Sequence, residues 1–320
     1  MRRRAMGFWG MAASAGIAVL VLALVLTSSR ARSGDGVDMK RVRELQSLID
    51  KLKPLHKKMG PHQPGDWLLY HKEPGQTFLQ YLSSNPVVAT KERRVIHILP
   101  IGEFDDGEKK ILKKTAKFLA AFFCLPVVVD KEVPLSAIPA EARRNNYMGE
   151  QLLSTYILDR ILIPRRAKDA VFTLGMTASD LWPGKGWNFV FGQASLRERV
   201  GVWSIRRNGN PNGTEEEFAL CLLGTLKTAS HESGHMLSMF HCVAYECGMC
   251  GSNNRAESDR RPLAFCPECL AKLLWATGAD PRKRFEKLIK FCEENGLKNE
   301  ADFYKRELGA IKKGNDHGGK

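Results

Sequence analysis

Three histidines and one glutamate constrain this chain most: His231-Glu232-Ser233-Gly234-His235, with His241 six residues further on. On a helix, residues four apart lie about 40° apart in azimuth and about 6 Å apart along the axis. His231 and His235 can therefore turn both rings toward one metal ion, with Glu232 beside them. A catalytic zinc takes three protein ligands and keeps a fourth position for water, and His241 is the candidate third. Continued as helix, the chain would carry His241 about 9 Å past His235, out of reach of a zinc-nitrogen bond of about 2.0–2.1 Å. A turn back between Met236 and Phe240 is expected.

Cys242 follows the third histidine directly, and Cys247, Met249 and Cys266-Pro267-Glu268-Cys269 come after it. Generic zinc-ribbon spacing would group Cys247-x-x-Cys250 with Cys266-x-x-Cys269. H-E-x-x-H-x-x-G-x-x-H followed by a methionine turn is the metzincin signature. With these cysteines added, the stretch resembles the archaemetzincin family. The resemblance implies a zinc metallopeptidase with His231, His235 and His241 on the catalytic zinc, Glu232 as general base, and Met249 in the methionine turn. It also implies a structural zinc on Cys242, Cys247, Cys266 and Cys269, hence two zinc ions per chain, with Cys250 left over. Short peptides, with an aminopeptidase preference, are the implied substrates.

Two departures from the family pattern stand out: Ser238 replaces a glycine, and the stretch from Met249 to Cys266 is one residue short. Glycine at such a turn supplies left-handed backbone, which costs other residues about 1–2 kcal/mol. These departures admit a rival reading, a membrane-tethered zinc-binding scaffold without turnover.

Residues 2–4 are arginines, and Ala5 to Thr27 contain no charge. At about 1.5 Å per residue such a run spans a ~30 Å hydrocarbon core. Residues 1–27 are thus expected to be a transmembrane anchor or signal peptide, with the bilayer contacted through residues 5–27. The arginines favour a single-pass topology with the catalytic part on the non-cytoplasmic side. Residues 28–60 read as a linker and a short helix, in which Val42, Leu45, Ile49 and Leu52 recur at helical spacing before Pro54. Residues 61–240 read as the catalytic subdomain and 241–320 as a C-terminal subdomain with the methionine turn, the cysteines and helices. The turn-rich Pro61 to Pro86 shows no chemistry of its own.

The expected class is α/β, or α+β in the metzincin manner: a mixed twisted sheet with flanking helices, an active-site helix and a C-terminal helical part. Strands are expected at Arg94–Pro100, Val127–Val129 and Ala170–Gly175, and helices at Gly107–Cys124 and Asn146–Ile163. Thr177 to Pro183 reads as a loop, while Trp187–Gly192 and Val200–Ile205 read as strands. By the family resemblance one of these is the antiparallel edge above the cleft, and Asn188, Phe189, Val190 and Phe191 are the candidates for pairing with a substrate backbone. Thr214 and Glu217 have capping-box spacing, so the histidine helix should start near Glu215. The formal charge of +14 is spread along the chain without a basic stripe interleaved with aromatics. Nucleic acid is therefore not an expected partner, whereas adsorption to anionic lipid accounts for the charge.

Overall fold

The computed structural model describes residues 38–313. The expected anchor over residues 5–27 lies outside them, and among the described residues no helix is long and apolar enough to cross a membrane. Contacts separate a unit ending at Val42 from a second running from Arg43 to Lys320. The second unit carries the site.

After helix α1 (Met39–Leu52) come two short helices, α2 (Trp67–Tyr70) and α3 (Phe78–Ser83). The α/β part then runs β1 (Val95–Ile101), α4 (Asp106–Phe123), β2 (Val127–Val129), β3 (Arg143–Asn146) and β4 (Gly149–Leu153). A helical stretch over residues 154–165, π-helical at Ile157–Leu162, leads into β5 (Ala170–Thr177), β6 (Asp180–Trp182), β7 (Gly192–Ala194) and β8 (Val200–Ser204). The long α5 (Glu215–Met236) is followed by α6 (Arg255–Arg260), α7 (Pro267–Thr277), α8 (Pro281–Glu294) and α9 (Lys298–Lys313).

The main sheet has the order β2-β1-β5-β8-β7. Its first four strands pair in parallel, and β7 closes the edge antiparallel to β8. Parallel pairing of β1 with β2 follows from the crossover through α4, whereas β5 and β8 are parallel with β6 and β7 in the connection between them. The central β5 is buried along its whole length. On one face Leu152, Ile157, Ile161, Leu162 and Leu181 pack with Ile101, Val200 and Val202. Elsewhere in the core Phe118, Phe122 and Phe123 of α4 meet Phe172, Phe265 and Phe291 ring to ring.

Two expected elements differ. The helix expected from Asn146 to Ile163 begins only at Ser154; ahead of it β3 and β4 form an antiparallel hairpin. Gly149, with φ of +103°, closes the turn, which no helix accommodates. Asp180–Trp182, read as loop, is strand β6, paired in parallel with β4 in a second sheet of order β3-β4-β6. Its three residues are too few to show an alternating pattern.

Candidate metal centre and cleft

Helix α5 starts on a complete capping box: the Glu217 amide donates to Thr214 Oγ1 at 3.3 Å and the Thr214 amide donates to the Glu217 carboxylate at 2.8 Å. Leu222, Leu226 and Ala229 bury one face, which holds His231 and His235 one turn apart on a rigid support. The helix ends at Met236. Ser238 follows with φ of +67°, the left-handed conformation that the glycine position calls for. Its hydroxyl donates to the Leu196 carbonyl at 2.9 Å and accepts from the Val87 amide at 3.1 Å. Serine thus adds two tethers that glycine lacks, and the turn brings His241 back to the helix. Ser238 therefore gives no support to the scaffold reading.

One ligand atom from each of His231, His235 and His241 lies within 4.8 Å of the others. Each ring has its Nδ1 against an oxygen: His231 on the Gly248 carbonyl at 2.9 Å, His235 on the Met239 carbonyl at 2.8 Å, and His241 on the Glu73 carboxylate at 2.8 and 2.9 Å. A carbonyl oxygen only accepts, so in His231 and His235 the proton sits on Nδ1 and a neutral ring offers its lone pair at Nε2. Burial and the neighbouring His241 push His231 down to about 3, and burial with both neighbouring histidines pushes His235 well below the usual range. Both rings are thus neutral. Their Nε2 atoms stand 3.0 Å apart, and two lone pairs at that distance repel unless a cation lies against both. The donor set fits zinc.

Met249 is fully buried, with its sulfur against Gly234 of the histidine helix. A Cβ on Gly234 would come within 2.3 Å of its sulfur, so the small residue in His-Glu-Ser-Gly-His lets the methionine pack against the helix. Cys242, Cys247, Cys266 and Cys269 form a second cluster with sulfurs within 4.8 Å of one another. Cys250 is among the residues that line the cleft, and its thiol donates to the Tyr245 carbonyl at 3.2 Å. Thiol hydrogens of Cys247, Cys250, Cys266 and Cys269 hold the Cys242 sulfur well below the ordinary thiol range, while burial pushes Cys247 up. A buried four-sulfur set of this kind ionises fully only around a cation, and it fits a closed zinc site.

The histidines open on a cleft of about 950 Å³. Asn188, Phe189, Val190 and Phe191 line it, but they are not the edge strand. That is β7, Gly192–Ala194, while Val190 forms an isolated bridge to Leu181. Residues 188–191 instead form a cleft wall whose aromatic rings pack on each other, Phe189 against Phe191 at 5.4 Å. Hydrogen bonds from the Ser204 amide to the Phe191 carbonyl and from the Ser195 amide to the Val200 carbonyl set the phase of β7 on β8. In that phase the backbone groups of Gly192 and Ala194 point away from β8.

Asp180, within the stretch read as a loop, is wholly buried and takes two hydrogen bonds from Arg207 at 2.7 Å. The Arg207 guanidinium lies 3.6 Å over the Phe189 ring, while Arg144 and Gln151 donate to the Asn188 carbonyl, each at 2.9 Å. A polar network thus fixes the wall from behind. Pro61 to Pro86, read as carrying no chemistry, supplies Glu73 and Trp67 to the cleft.

The sequence pattern of Peptidase family M54 matches residues 141–274. The archaemetzincin-2 of Macaca fascicularis is 33% identical over 287 residues, covering 78% of this chain and 79% of the relative. The archaemetzincin of Thermococcus kodakarensis is 34% identical over 193 residues, or 57% of this chain and 96% of that one. A crystal structure of archaemetzincin from Methanopyrus kandleri aligns at 25% identity with a TM-score of 0.47, covering 60% of this chain and 99% of that one. With shared sequence running through most of a full-length relative, this chain belongs to the archaemetzincins, the zinc metallopeptidases of family M54.

Proposed function

We propose that the protein hydrolyses short peptides in the cleft between β7 and the histidine helix. His231, His235 and His241 would hold the catalytic zinc, and Cys242, Cys247, Cys266 and Cys269 a structural one, giving two per chain. The bound catalytic ion supplies Lewis acidity toward a water molecule and the scissile carbonyl.

Glu232 acts as the general base. Burial pushes its carboxyl up, which makes the carboxylate a stronger proton acceptor. It takes the proton of the attacking water and delivers it to the leaving amine. Its position supports this role: a Cβ on Gly192 would lie 2.5 Å from Glu232 Oε1, so the carboxylate sits directly under the edge strand. A substrate in extended form pairs with the outward backbone of Gly192 and Ala194. Phe189, Val190 and Phe191 then contact its side chains.

The observation that carries the reading is the convergence of three imidazoles beside a buried carboxylate and an open strand edge. Glu232→Gln tests it. The variant should keep two zinc ions per chain and lose peptide hydrolysis, whereas undiminished hydrolysis would remove Glu232 from the reaction. Rates on a peptide with a free amino terminus and on its acetylated twin measure the aminopeptidase preference.

A further inference from the structure

We infer that Glu73 is a positioning residue of the catalytic metal centre, held in place through Trp67 by the buried Glu257. This rests on the reading of the three histidines as zinc ligands. His231 and His235 are oriented by a regular helix and by main-chain carbonyls from Gly248 and Met239. His241 lies on an irregular segment, so its backbone does not dictate the ring's direction. It is the one of the three whose Nδ1 faces a carboxylate, with both Glu73 oxygens within 2.9 Å. A carboxylate there fixes the ring plane, keeps the proton on Nδ1 and makes Nε2 a better donor to a metal.

Glu73 is itself anchored. The Trp67 indole donates to Glu73 Oε1 at 2.9 Å, and the Trp67 ring meets the His241 ring edge-on at 5.6 Å. The Trp67 backbone amide donates to both oxygens of Glu257, at 3.0 and 3.2 Å. Glu257 is entirely buried and also accepts from the Asn253 amide at 2.8 Å. A Cβ on Gly251 would come within 2.6 Å of the Trp67 ring, so the loop after the methionine turn is shaped to receive the indole. A continuous line of contacts therefore runs from Glu257 through Trp67 and Glu73 to His241. Glu73 and Trp67 both lie ahead of the stretch matched by the family pattern.

The experiment compares full-length wild type, Glu73→Gln and Trp67→Phe. Zinc stoichiometry and affinity are read by chelator competition, the cobalt(II)-substituted protein by visible absorption, and folding by thermal melting of the chain that retains only its cysteine-bound ion. Glutamine keeps the shape and loses the charge; phenylalanine keeps the ring and loses the indole donor. Glu73→Gln should weaken one of the two zinc ions about 10–100-fold, leave the other unchanged, and shift the cobalt bands, with the melting temperature of the chain holding only its cysteine-bound ion unaltered. Trp67→Phe should weaken the same ion by a smaller factor. Two zinc ions held within twofold of wild type in both variants would overturn the inference. A wild-type chain that binds one zinc, on its cysteines, would instead remove the histidine reading, and this inference with it. Should Glu73→Gln fail to fold, Trp67→Phe alone decides, because an unchanged affinity there breaks the line of contacts.

Discussion

Gly192 lies so close over Glu232 that any side chain would strike it: a Cβ would stand 2.5 Å from Oε1 and 2.7 Å from both Cδ and Cγ. Gly192→Ala must displace either the strand or the carboxylate. A shift of about 1 Å at a reacting group costs roughly 10²-fold in rate. The expected outcome is a drop in kcat/KM of that order at unchanged zinc content, measured by steady-state kinetics beside metal analysis.

Ser238 sets two effects against each other. Glycine there would relieve left-handed strain of about 1–2 kcal/mol. It would also forgo the bonds to Leu196 and Val87, each worth about 0.5–1.5 kcal/mol. Ser238→Gly is therefore expected to fall within about 1 kcal/mol of wild type. Ser238→Ala keeps the strain and loses both bonds, and should be the less stable of the pair by about 1–2 kcal/mol. Urea midpoints of the two variants decide the order.

Asp66 gives a pH dependence with a definite sign. Burial pushes its carboxyl up, but hydrogen bonding with the Gln63 backbone and the Arg260 guanidinium outweigh this and hold it below the usual carboxylate range. The folded state thus binds its proton more weakly than the unfolded one. The resulting stability is complete above the ordinary Asp value and is lost as pH falls through the lowered one. Asp66→Asn should melt below wild type at pH 7, and the gap should close as the buffer is taken below about pH 4. A gap that does not change with pH would contradict this assignment.

The two clusters of candidate metal ligands should separate under chelation. The three histidines face an open cleft, whereas Cys247, Cys266 and Cys269 have no more than 1% of their surface exposed. A strong chelator is expected to abolish hydrolysis quickly with far-ultraviolet circular dichroism intact. Cys269→Ser should lower the melting temperature by more than about 10 °C, because binding energy at a closed thiolate site is folding energy. Melting within a few degrees of wild type would argue against a structural metal.

The sequence shows best what is set by local chemistry. Thr214 and Glu217 announce the start of α5, and the impossibility of a helical reach to His241 announces the turn at Ser238. Long hydrophobic strands and the amphipathic α8 and α9 are equally plain. Short elements are less legible: β6 and β7 have three residues each, fewer than a period needs to repeat. The phase of β7 depends on its partner β8, so reading 187–192 by itself placed the edge a few residues early. Glu73 had no signal at all, since its bond to His241 spans 168 positions and follows from the fold as a whole. Asp180 gave no sign of its burial, because its partner Arg207 lies 27 positions away in sequence.

β7 is only three residues long, and just Gly192 and Ala194 turn their backbone outward. A guest strand can therefore form a ladder of about two residues before running off the end, which is too little to template a growing fibril. On the proposed reading of the cleft, the same brevity would leave each half of a cleaved peptide with at most a couple of main-chain bonds to this edge.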